Sequence, residues 1–161
     1  MQYCTSAYIQ QLKELFSIYN LEIKLIKDND TIPGSFWGDS EAGLIGNILF
    51  VRHDTPIHSA LHEACHYICM DAQRRGSLHT NAGGDYDEEN GVCYLQILLG
   101  EKLHNIDRQT MFNDMDDWGY SFRLGSTQNW FDSDADDAQA WLVQQQIIDT
   151  QNNVTGKLRN A

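Results

Sequence analysis

Two hydrophobic periods divide the N-terminal part of the chain. Between Ser6 and Asn20, Ile9, Leu12, Leu15, Phe16 and Tyr19 recur every three or four positions, which predicts an amphipathic helix with Thr5 or Ser6 as its N-cap. The period then drops to two. Leu21, Ile23 and Leu25 alternate with Glu22 and Lys24, the pattern of a strand with one wet face. A turn-rich stretch leads to a short β-prone run, predicted as a strand over Asn47–Arg52.

From Thr55 the helical period returns. Ile57, Leu61, Ala64, Cys65 and Ile68 form one apolar stripe, with Thr55 placed to cap it and Pro56 at a first position that needs no amide donor. His58, His62 and His66 fall on the neighbouring stripe. Further helices are predicted over Glu88–Leu103, over Arg108–Trp118 with a cap at Asn105 or Asp107 and a stop at Gly119, and from the acid-rich segment beginning at Asp132. Residues beyond Asn152 read as a frayed tail. The four tryptophans, Trp37, Trp118, Trp130 and Trp141, read as core or groove-wall residues. Helix, strand, strand pair and then several helices argue for an α+β class, with a small twisted sheet packed on a helical layer. With 161 residues and 42% hydrophobic content, residues 1–161 are expected to form one domain around one core.

Charge narrows the function classes. The chain carries 23 acidic against 11 basic residues, a formal net charge of −12. Such a surface repels phosphate backbones and anionic lipid, so neither nucleic acid nor membrane is an expected partner. The start lacks a basic region followed by an apolar one, and no apolar run reaches membrane length. Cys4, Cys65, Cys69 and Cys93 form no secreted-type framework, and a reducing cytoplasm is the expected location.

Chemistry concentrates in His62-Glu63-Ala64-Cys65-His66. Histidines one helical turn apart present both rings to one point, so His62 and His66 can share a zinc ion. Glu63 lies about 100° round the helix, beside the metal rather than on it, where it can act as general base towards a water that zinc makes acidic. Shuffled copies of a chain with 6 histidines spell HExxH roughly once in a hundred. His58 reads as an exposed neighbour of the pair. A third ligand is needed. His79 lies in a loop, and Cys69 and Ala72 stand where the longer HExxHxxGxxH pattern has glycine and histidine. The helix that follows is a better source. Glu88 is in phase with Val92, Leu95 and Leu99, whereas Glu89 shares a stripe with Cys93, Gln96 and Gly100. Helical phase therefore favours Glu88 as ligand, ahead of Glu89 and Asp85. Tyr120, His104 and Arg123 are candidates for stabilising an oxyanion.

This HExxH helix followed by an acid-bearing helix resembles the zincin metallopeptidases, and within them the gluzincins. The stretch Asn47–Gly100 is loosely similar to the ImmA/IrrE-type peptidases, whose second helix has the form E-x-x-A-x-x-F-A-x-x-L-L. Glu88, Gly91, Tyr94, Leu95, Leu98 and Leu99 stand at the matching places. Ala64-Cys65 replaces the Leu-Gly usual inside that motif, and Gly100 stands where a proline often follows. The resemblance implies a zinc-dependent peptidase, with His62, His66 and Glu88 on the metal and Glu63 as base, acting on a peptide or protein substrate. An extended substrate would add as a strand near Asn47–Arg52. The rival expectation is a regulatory or interaction protein that binds metal on a zincin scaffold without turnover.

Overall fold

In the computed structural model, residues 1–35, 39–78 and 83–160 are described. Trp37 and His79 lie outside them. Helix α1 (Ser6–Ser17) buries Ile9, Leu12 and Phe16 and leads to strand β1 (Glu22–Leu25). Strands β2 (Gly43–Ile45) and β3 (Ile48–Val51) form a hairpin whose turn begins at Gly46, at φ +58°, the conformation that a primed two-residue turn requires of its first central residue. The sheet order is β1-β3-β2, with β1 parallel and β2 antiparallel to β3. The class is α+β, with a small open sheet on a helical layer, as the pattern predicts. The docking edge does not survive. β3 is the central strand, and both of its edges are already paired, so no substrate strand can add there. Alternation along one segment marks a strand but not its neighbours, and the parallel partner β1 lies well upstream, with Glu22 opposite Ile48.

Helix α2 (Ile57–Cys69) runs beneath the sheet and carries the HExxH residues. It starts one residue later than predicted. Pro56 holds the cap position, while Thr55 Oγ1 accepts the Arg52 N–H at 2.9 Å and closes the preceding turn instead. A short helix α3 (Ala72–Gly76), capped by Asp71, follows, and then α4 (Tyr86–Gly100), which packs closely against α2. Helix α5 (Arg108–Trp118) is capped by Asp107 and ends at Gly119 in the left-handed conformation, φ +109°. The acid-rich C-terminal segment forms α7 (Asp136–Gln144), and a separate helix that the pattern did not mark, α6 (Thr127–Ser133), ends where that segment begins.

The tail is not frayed. Ile148 pairs with Val154, Thr155 Oγ1 donates to the Gln146 and Ile147 carbonyls at 2.7 and 2.9 Å, and the Arg159 N–H donates to the Ile68 carbonyl at 3.0 Å. Carbonyls left open at the end of α2 supply the partners that order it. One cluster of buried side chains runs from α1 through the sheet to α7, and all four cysteines are free thiols, with Cys4, Cys65 and Cys69 in that cluster. Among the described residues, no helix is long and apolar enough to cross a membrane.

Glycine at position 91 has a packing cause. A Cβ added there would lie 2.7 and 2.9 Å from two ring atoms of Trp141 on α7, inside any ordinary contact. Gly91→Ala is expected to lower the urea midpoint by an amount equivalent to about 1–3 kcal/mol. Trp141→Leu in the same chain should return part of that loss; full additivity of the two changes would refute the contact.

Candidate metal centre

The two motif histidines converge. His62 Nε2 and His66 Nε2 lie 3.1 Å apart, and Glu89 Oε2 lies 3.6 Å from His66 Nε2. These three side chains bring one ligand atom each to within 4.8 Å of the others. A tetrahedral zinc ion with bonds of about 2.0–2.1 Å needs donors roughly 3.3–3.4 Å apart, so the spacing fits the ion.

Hydrogen bonding also sets the tautomer of His62. Gln96 Nε2 donates to the His58 carbonyl at 2.9 Å and to the Tyr120 hydroxyl at 3.2 Å, which turns Gln96 Oε1 towards His62 Nδ1 at 2.9 Å. An amide oxygen only accepts, so His62 Nδ1 must carry the proton and Nε2 must present a lone pair. That is the ligand form, held by a neighbour as metal-binding histidines usually are. His66 has no such support: its Nδ1 is buried without a partner.

The three acids considered as third ligand take three different roles. Asp85 caps α4, its carboxylate accepting the Glu88 N–H at 2.9 Å. Glu88 is buried, as helical phase predicts, but it faces two arginines rather than the histidines. Arg74 donates to both of its oxygens at 2.9 and 2.6 Å, and Arg159 adds a bond at 2.9 Å. Those oxygens are taken by the arginines, and the structure does not bring the expected ligand Glu88 together with His62 and His66. Glu89 is the acid beside the histidine pair, half-buried, with its Oε1 accepting the Gly84 N–H at 3.1 Å. The stripe that meets α2 at this point is the one carrying Glu89 and Gln96.

A scan against protein-family models and searches of curated proteins and solved structures find no match.

Electrostatics favour a cation at the centre. Burial first, then the carboxylates of Glu41 and Glu89, push Glu63 up to about 8. Glu41 is fixed nearby: Ser59 Oγ donates to it at 2.6 Å and Trp118 Nε1 at 2.9 Å. Burial lowers His62, against the pull of its Gln96 bond and of Glu89 and Glu41. His66 is held well below the usual histidine range by burial, then by His62 and Arg74. Neutral imidazoles beside crowded carboxylates are a donor set that a divalent ion completes.

Of the three oxyanion candidates, Tyr120 alone sits at this centre. Its hydroxyl accepts from Gln96 and lies 3.1 Å from His58 Nδ1, and its ring meets His62 edge-on at 5.6 Å between centroids. The Arg123 guanidinium is paired with Asp134 at 2.8 Å, and the His104 carbonyl accepts from Tyr8 of α1. Gln96 was missed at the sequence level. A single amide inside the apolar run Tyr94–Leu99 was the available signal, since a polar group there must find a buried partner.

His58 is not exposed but buried at 1% exposure, with its Nε2 unpartnered. Burial, then His62, brings its pKa down to about 3. The unfolded chain, with an ordinary value near 6.5, takes up this proton first as pH falls, so the contribution of His58 to stability is complete above that value and is lost between there and about 3. Between pH 7.5 and 4.5 the metal-free protein should therefore lose about 2–3 kcal/mol more stability than His58→Gln. Urea titrations at the two pH values, with chelator present, measure the difference; equal losses would show that His58 is not kept neutral.

Proposed function

We propose that this chain is a zinc-dependent peptidase, with His62, His66 and Glu89 holding the ion and Glu63 as general base. The observation that supports it most is the lone pair of His62, forced by Gln96 to point at the spot where His66 and Glu89 also converge. Nothing in ordinary helix packing calls for a buried amide spent on setting a histidine tautomer.

When bound, zinc supplies Lewis acidity and a water acidic enough to lose its proton near neutral pH. The other roles belong to the chain. Glu63, half-buried next to His62, would accept a proton from a water at the centre and return it to a leaving amine. Its raised affinity for a proton in the metal-free protein falls once a dication sits beside it, which restores the carboxylate form that a base needs. Tyr120, its hydroxyl shared with Gln96 and His58, holds the amide that orients His62. Trp118 packs against His58 and donates to Glu41, the carboxylate that acts on Glu63. The substrate class is a peptide or protein segment.

Metal analysis of protein purified without a histidine tag is the direct test, and about one equivalent of zinc is expected. Glu63→Gln should keep the zinc and lose cleavage of a diverse peptide pool. Glu89→Gln should weaken zinc binding by more than the roughly 10–100-fold that loss of an outer-shell partner costs. Protein that neither carries nor takes up zinc would end the proposal. Zinc-loaded protein that cleaves nothing in the pool would point to the non-catalytic regulatory reading instead.

A further inference from the structure

Arg159 touches both helices that supply the centre. Its backbone N–H donates to the Ile68 carbonyl at 3.0 Å and its Nη1 to the Cys69 carbonyl at 3.2 Å, in the last turn of α2 just beyond His66. The same Nη1 donates to Glu88 Oε1 at 2.9 Å, in the first turn of α4 and one residue before Glu89. The residue is itself well seated. Its guanidinium lies 5.3 Å over the Trp141 ring, and its carbonyl accepts from Arg75 Nη2 at 2.7 Å.

Gln96 makes the equivalent link at the opposite end, joining α4 to the His58 carbonyl and to His62. The two ligand-bearing helices are thus tied at two places, with the metal ligands between them. Glu88 and Glu89 are successive residues, about 100° apart on the helix. Pinning the Glu88 carboxylate on the core side fixes the rotation that turns Glu89 towards His66. Glu89 Oε1 also leans on the Gly84 N–H, so its aim depends on how this first turn is held.

We infer that Arg159 is a positioning residue for the metal centre, acting through Glu88 and the end of α2 to hold Glu89 against the histidine pair. This rests on the metal-binding reading proposed above. Arg74 keeps the Glu88 charge paired when Arg159 is removed, but only Arg159 ties Glu88 to the last turn of α2, so the change should loosen the site more than the fold.

The test is a double-mutant cycle on the full chain. Zinc affinity is measured by titration against a competing chromophoric chelator for wild type, Arg159→Ala, Arg159→Lys, Glu89→Gln and Arg159→Ala/Glu89→Gln, with metal-free melting curves alongside. Arg159→Ala is expected to weaken zinc binding roughly 10–100-fold. Arg159→Lys, which keeps a cation but not the fork, should recover part of that loss. With Glu89 already changed, removing Arg159 should cost almost nothing further, because no third ligand is left to aim. Wild-type affinity in Arg159→Ala would overturn the inference, and so would equal fold-losses with and without Glu89, the mark of general loosening. If the alanine variant does not fold, the same cycle run with Arg159→Lys decides between these outcomes. A wild type that binds zinc and a Glu89→Gln variant that does so weakly would uphold the metal reading whatever Arg159 does; a wild type that binds none removes both.

Discussion

Everything in this structure is arranged around a helix enclosed on nearly every side. All of the 13 residues of α2 are buried except His62 and Glu63. An enclosed helix that carries three histidines and a serine must find polar partners for them in the interior, because an unpaired polar group there costs about 1–3 kcal/mol. Glu41 takes Ser59, Tyr120 takes one nitrogen of His58, and Gln96 takes one nitrogen of His62. The opening left at His62 and Glu63 is therefore a gap in a packed wall, with the surrounding side chains already committed elsewhere. Two nitrogens, His58 Nε2 and His66 Nδ1, are left without partners, which marks this part of the core as built for something other than stability alone.

Repulsion adds to that cost. Burial raises Glu63 to about 8, and the carboxylates of Glu41 and Glu89 add to that shift. Solvent does not fully relieve it, because Glu63 and Glu89 are half-buried. A bound dication would, so such an ion would stabilise the fold as well as occupy it.

Local signals revealed the stripes of α1 and α2, the hairpin strand and the α+β order, because each is written in the spacing of neighbouring residues. Long-range partners left no such trace. Nothing near Asn47 announces that β1 will pair with β3 and close its edge. Arg159 is ordered by carbonyls of α2, far away in sequence. The choice of Glu88 shows the difference most clearly. Its inward phase was legible and correct, since it is 1% exposed. What phase does not tell is which inward-facing acid meets a cleft and which meets an arginine. A ligand belongs at the border of the buried face, and Gln96, in line with Glu89, marked that border.

The thiols of α2 carry a consequence of their own. Cys65 and Cys69 are fully buried, and burial holds both well above the ordinary thiol range. Neither is a useful nucleophile while the helix is packed. An alkylating reagent can reach them only in chains where α2 has left its seat, and in those chains the histidine pair no longer has its neighbours. Labelling of Cys65 or Cys69, as distinct from the partly buried Cys93 on α4, and an assembled centre are therefore mutually exclusive states of one helix, so the labelling rate at those two positions becomes a clock for how often the centre comes apart.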